Sequence, residues 1–124
     1  MTMRDSITAA RIGGPDRTAD GALAFEFRFG ADDPTFAGHF PTRPLLPGVF
    51  QLEMTRMAAE WILNASLAVR EVRKAKFQRP ILPMDLVRVE LKCSEAENMI
   101  RARAGFSVAG EPAGETIMTL CRKE

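Results

Sequence analysis

Cysteine is scarce in this chain of 124 residues. Cys93 and Cys121 are too few to frame a disulfide scaffold, and their separation fits neither a zinc-binding nor a thioredoxin-like pattern. Two buried thiols on strands in a reducing compartment, with no metal site, are the expectation. An excess of either charge is also missing. The 17 basic and 16 acidic residues leave a net charge of +1, which gives no electrostatic case for nucleic-acid binding. No stretch approaches the roughly 20 apolar residues of a membrane span. The opening Met-Thr-Met-Arg-Asp-Ser-Ile carries no apolar signal region. A soluble cytoplasmic protein without a membrane partner is therefore expected. Internal repeats, low-complexity tracts and linkers are absent as well, so residues 1–124 read as a single domain.

What the chain does contain is mostly alternation. Residues 1–5 read as frayed, and Ser6–Ile12 as a short strand closed by the turn signal Gly13-Gly14-Pro15-Asp16. Ala22–Phe29 alternates with period two, placing Leu23, Phe25, Phe27 and Phe29 on one face of a half-buried strand. Leu67–Gln78, Asp85–Cys93, Met99–Val108 and Thr116–Cys121 are further strands, the first too charged for burial on both faces. Gly110–Gly114 reads as a hairpin connection. One segment differs: over Gly48–Asn64, Val49, Leu52, Met57 and Trp61 recur at helical spacing, and apolar residues occupy nearly the whole circumference. Such a helix has to be wrapped, and only strands are available to wrap it. The expected class is α+β with the hot-dog architecture, a curved antiparallel sheet of five to six strands around one long central helix. A sheet of that size covers only part of the helix, so at least a homodimer is expected.

The helix is entered through Phe36-Ala-Gly-His-Phe-Pro-Thr-Arg-Pro-Leu-Leu-Pro-Gly-Val-Phe-Gln-Leu-Glu53, which holds the only histidine of the chain. Prolines at 41, 44 and 47 stiffen it and remove backbone donors. From His39 to Glu53 this stretch resembles, without a gap, the active-site signature of the β-hydroxyacyl-acyl carrier protein dehydratases of the FabZ and FabA type. Lys76-Phe-Gln-Arg-Pro-Ile-Leu-Pro-Met-Asp85 resembles a second block of that family. The sequence departs from the family pattern at Thr42, Met57 and Met84, and it lacks the family's N-terminal Pro-His-Arg block.

The resemblance implies a (3R)-hydroxyacyl-acyl carrier protein dehydratase of fatty acid or related polyketide or polyene biosynthesis, needing no cofactor. It implies His39 as general base on C2, a role that suits an imidazole. Glu53 is implied as general acid, because burial beside Phe50, Met54 and Met57 would favour a protonated carboxyl. Gly48, with Val49, would offer helix-head N–H groups to the developing enolate. Phe40, Pro47, Val49, Phe50 and Met57 would contact the acyl chain. The family also joins the histidine of one subunit to the glutamate of the other. Its partner is an acyl carrier protein with a phosphopantetheine-linked chain, and the basic residues Arg43, Arg73, Lys74, Lys76 and Arg79 read as its docking patch or, alternatively, as a solvated strand face. A higher oligomer or a heterodimer stays open. So do a hot-dog acyl thioesterase and a non-catalytic acyl-binding or heterodimer subunit.

Overall fold

The period-two segments are strands. In the computed structural model, which describes residues 2–36 and 45–123, these are β1 (Arg11–Arg17), β2 (Leu23–Phe27), β3 (Leu67–Phe77), β4 (Val87–Ala96), β5 (Met99–Val108) and β6 (Glu111–Arg122). They form one antiparallel sheet in the order β1-β2-β4-β5-β6-β3. Two helices accompany it, α1 (Met3–Ala10) and α2 (Gly48–Leu63), with α2 packed against β3, β4, β5 and β6. This is the α+β hot-dog arrangement. Its core joins the apolar face of the sheet, including Phe25, Phe27, Val89, Leu91, Phe106 and Met118, to Phe50, Met54, Met57 and Ala58 of α2. Each large side chain so buried contributes about 1.5–3 kcal/mol of transfer free energy.

Three local expectations change. Residues 3–10 are helical, where Ser6–Ile12 reads as a strand by alternation. Thr2 Oγ1 accepts from the Asp5 N–H at 3.1 Å and the Asp5 carboxylate accepts from the Thr2 N–H at 3.0 Å, a reciprocal cap that fixes the first turn. Met3, Ile7 and Ala10 then share one helical face, and Ile7 is fully buried. Residues 13–16 lie inside β1 and not in a turn. The strand is at the sheet edge, where proline is tolerated, and it absorbs the Gly-Gly-Pro run through register shifts against β2. The β5–β6 connection is shorter than Gly110–Gly114. Ala109 and Gly110 both take positive φ, 53° and 81°, and close a tight hairpin so that β6 starts at Glu111.

α2 stops one residue before its expected end, where Asn64 adopts a left-handed cap (φ 50°, ψ 51°) and donates to the Glu60 carbonyl. The helix is also less uniformly apolar than its composition implies. Arg56 and Glu60 are among its buried residues. Glu60 accepts from the Leu67 N–H at 2.8 Å and from Arg4 at 3.0 Å, so it ties α2 to the first residue of β3 and to α1. Burial pushes the Glu60 carboxyl up, but the Leu67 N–H, Arg56 and Arg4 together outweigh it and leave it below its ordinary value of 4.5. A depressed native value means that the associated stability is complete above pH 4.5 and is lost as pH falls through the native value. The thermal midpoint of the wild-type chain is therefore expected to fall more steeply on acidification than that of Glu60→Gln, which lacks the titrating group. Circular dichroism melts from about pH 3 to 7 check this, and parallel curves would contradict it.

Candidate active site

The head of α2 is where the expected site residues gather. Pro47 is its N-cap, with extended backbone (φ −61°, ψ 144°), and no side chain caps the first turn. Pro47 suits this place because an N–H there would have no helical partner. Its carbonyl accepts from the Phe50 N–H at 2.9 Å, and Leu46 donates to the Ile81 carbonyl at 2.8 Å, which fastens the entering chain to the 78–85 loop. The N–H groups of Gly48 and Val49 are thus left at the positive end of a 16-residue helix. Gly48 lies under the Phe77 ring: a Cβ at position 48 would stand 2.5 Å from it. Beside them is a cavity of about 320 Å³ lined by Leu45, Leu46, Gly48, Gln51, Phe77 and Arg79 among others.

Helical spacing sorts α2 into three faces. Phe50 and Trp61 meet the β2 side, Phe50 edge-on to Phe29 and Trp61 against Phe25 and Phe27. Gln51 and Thr55 meet β6, where Thr55 and Thr116 hydroxyls bond at 2.7 Å and Gln51 packs over Gly114. Gln51 is buried, and its Oε1 has no hydrogen-bond partner among the described residues. The third face carries Val49, Glu53, Arg56 and Glu60. Glu53 sits about 140° round the helix from Gly48. The cavity at Gly48 and the Glu53 carboxylate therefore face different directions within one chain.

The apolar surround expected for Glu53 is not what the fold provides. Arg56 donates from Nε to Glu53 Oε1 at 2.6 Å and from Nη2 to Oε2 at 2.7 Å, a two-pronged ion pair. Nη1 of the same guanidinium reaches the Leu67 carbonyl at 3.1 Å and Glu60 at 2.9 Å. The hydrogen bonds that Arg56 donates to Glu53 lead the effects that raise the Arg56 pKa above its ordinary value, against the opposing effect of its burial. Glu53 is partly open, with 24% of its side chain exposed. Both of its oxygens accept from N–H donors of Arg56.

The remaining candidates divide. Pro47, Gly48, Val49 and Phe50 are brought together at the helix head. Val49 projects outward, 52% exposed, whereas Phe50 and Met57 are packed into the core. His39, Phe40 and Arg43 lie outside the described residues. In the basic patch, Arg73 pairs with Glu71 at 3.6 Å, Lys74 with Glu115 at 2.7 Å and Arg79 with Glu111 at 2.8 Å. Among the described residues Lys76 has no such pair. Arg56 and Gln51 are missed by sequence reasoning, although a signal exists. Both are polar residues in a helix otherwise read as core, and Arg56 stands three residues after one glutamate and four before another.

Among the described residues no cluster of histidine, cysteine, aspartate and glutamate is arranged to hold a metal. Both cysteines are free and half-buried, and desolvation, with Glu95 adding to it, pushes the Cys93 thiol up to about 11.

Comparison with known proteins gives a consistent family. The model of the ApeI-like family, described as ApeI dehydratase, matches residues 16–113. The 3-hydroxyacyl-acyl-carrier-protein dehydratase FabZ of Anaeromyxobacter dehalogenans is 30% identical over 95 residues, which are 68% of this chain and 61% of that protein. The corresponding protein of Rickettsia akari is 30% identical over 102 residues, 75% of this chain and 70% of that one. The match thus spans only 61% of the length of the Anaeromyxobacter relative. Among solved structures, the dehydratase heterocomplex ApeI:P from Xenorhabdus doucetiae superposes with a TM-score of 0.74 at 23% identity, covering 86% of this chain and 93% of that one. A probable thioesterase from Bartonella henselae superposes with a TM-score of 0.64 at 14% identity, covering 81% and 88%. At such identities the superpositions speak for the fold alone.

The packing of Gln51 generates a stability test. A Cβ at position 114 would stand 2.7 Å from Gln51 Oε1 and 2.8 Å from the Lys76 carbonyl, and the latter is backbone that cannot step aside. At Gly105 the same atom meets nothing within 4 Å. Gly114→Ala is expected to destabilise the fold by roughly 1–3 kcal/mol. Gly105→Ala is expected to be neutral or stabilising by up to about 1 kcal/mol. Denaturant titrations compare the two.

Proposed function

The chain belongs to the ApeI-like dehydratase family, and from this premise we propose that it dehydrates (3R)-hydroxyacyl thioesters carried on an acyl carrier protein. The observation that carries the reading is the uncapped head of α2. It offers two N–H donors beside a cavity of about 320 Å³, directly after the stretch of sequence that holds the only histidine. In this reading the thioester oxygen lies against the Gly48 and Val49 N–H groups, which stabilise the enolate as it forms.

His39 takes the proton from C2. The C2–C3 double bond forms as the C3–O bond breaks, and the imidazolium returns its proton to the departing hydroxide, releasing water and a trans-2-enoyl thioester. One imidazole thus serves as base and acid, roles that the ordinary chemistry of a histidine side chain permits. In this reading Glu53, its oxygens held by Arg56, accepts a hydrogen bond from the C3 hydroxyl and aligns it, a role distinct from the general acid that the family resemblance implies. Because Gly48 and Glu53 face different directions in one chain, a complete site would combine the His39 of one protomer with the Glu53 of another. β3 supplies an unpaired sheet edge for such a homodimer, with Val69 and Val72 exposed. Arg43, Lys76 and the neighbouring Arg73, Lys74 and Arg79 would meet the acidic carrier protein.

A second reading has a specific observation behind it. A carboxylate presented as an acceptor also suits activation of water against a thioester carbonyl, the chemistry of a thioesterase. The third reading is a non-catalytic subunit of a heterodimer, and the related Xenorhabdus dehydratase was itself solved as a heterocomplex. Incubation with a 3-hydroxyacyl carrier protein, read by mass spectrometry, separates the three. The dehydratase yields an enoyl product lighter by one water. His39→Ala is expected to lower kcat by roughly 10²–10⁴-fold and Glu53→Gln by about 10²-fold. Free carrier thiol without enoyl product would instead establish the thioesterase, and no turnover would leave the subunit reading.

A further inference from the structure

We propose that Arg56 is a positioning residue that holds the Glu53 carboxylate in its working orientation, an inference that rests on the dehydratase reading above. Arg56 is nine-tenths buried and every guanidinium nitrogen is committed. Its two limbs differ in what they secure. One limb, Nη1 to the Leu67 carbonyl and to Glu60, joins α2 to the first residue of β3, and Glu60 itself accepts from the Leu67 N–H and from Arg4. That limb is structural. The other limb, Nε and Nη2 onto both Glu53 oxygens, fastens no other element. It fixes a carboxylate that is otherwise partly open to solvent and that would be free to turn about three side-chain bonds.

A guanidinium fork sets the plane of the carboxylate as well as its distance, and both are what a group aligning a reacting hydroxyl requires. Lysine keeps the charge but loses the fork. The chain carries a glutamate on either side of Arg56, at 53 and 60. The two serve different ends, 60 to hold the arginine and 53 to be held by it.

The test compares Arg56→Lys, Glu53→Asp and Glu60→Gln in the full chain with a 3-hydroxyacyl carrier protein, measuring kcat, KM and the thermal midpoint. Arg56→Lys is expected to lower kcat by roughly 10–100-fold with KM within about twofold of wild type. Glu53→Asp keeps the carboxylate but withdraws it from the fork, leaves the structural limb intact, and is expected to lose kcat to the same extent. Glu60→Gln, which weakens the structural limb, is expected to lower the thermal midpoint while holding kcat within about threefold. Full kcat in either Arg56→Lys or Glu53→Asp would overturn the proposal, as would a rise in KM alone or a loss in Glu60→Gln equal to that in Arg56→Lys. If Arg56→Lys fails to fold, Glu53→Asp decides alone. A wild-type chain without dehydratase turnover would overturn the functional reading and this role with it, an outcome distinct from an active wild type whose Arg56→Lys variant is unimpaired.

Discussion

Arg56 is the only cation that α2 carries, and the helix takes it inside. Bringing a guanidinium out of water costs several kcal/mol unless every donor finds an acceptor. Here Glu53, Glu60 and the Leu67 carbonyl meet that demand, and in doing so they fix how α2 sits against the start of β3. A buried ion cluster of this kind is weak evidence for stability taken alone, since well-packed apolar side chains often do as well. What it provides is orientation.

The other faces of α2 agree with that orientation. Phe50 and Trp61 lie against the aromatic side chains of β2 and its end, and Thr55 meets Thr116 of β6. The uncapped first turn opens beside Phe77 and the 78–81 segment. Val49 and Glu53 are left facing outward along the helix side that the sheet does not cover. A single chain therefore presents a cavity on the Gly48 and Gln51 side of α2 and an oriented carboxylate on another.

Much of the fold was legible in the sequence because burial was legible. β5 is buried on alternate residues along its whole length and β4 over its first half, at Val87, Val89 and Leu91, and the apolar run of Gly48–Leu63 is that of a wrapped helix. Local chemistry misled where a short polar signal competed with alternation. Thr2 and Asp5 cap a helix in a stretch that looks like a strand, and the Gly13–Asp16 run belongs to an irregular edge strand. The helix head was legible at Pro47 and Gly48, whose spacing is local. The burial of Arg56 was not, because its contact with the Leu67 carbonyl depends on where β3 lies, although its glutamate neighbours at 53 and 60 are local. The fit of Gly48 beneath Phe77 and of Gln51 above Gly114 depends on tertiary contacts between distant segments, which no single stretch of sequence encodes.

The central claim is that catalysis needs the helix head of one chain, with its His39, and the Glu53 of another. Mixing two separately inactive variants, His39→Ala and Glu53→Gln, after reversible dissociation tests it most directly. Half of the reassociated dimers would be mixed, and each mixed dimer would hold one intact site of two. Dehydration of a 3-hydroxyacyl carrier protein should then return to about a quarter of the wild-type rate. Exchange into mixed dimers without any recovery of turnover would contradict a site shared between protomers.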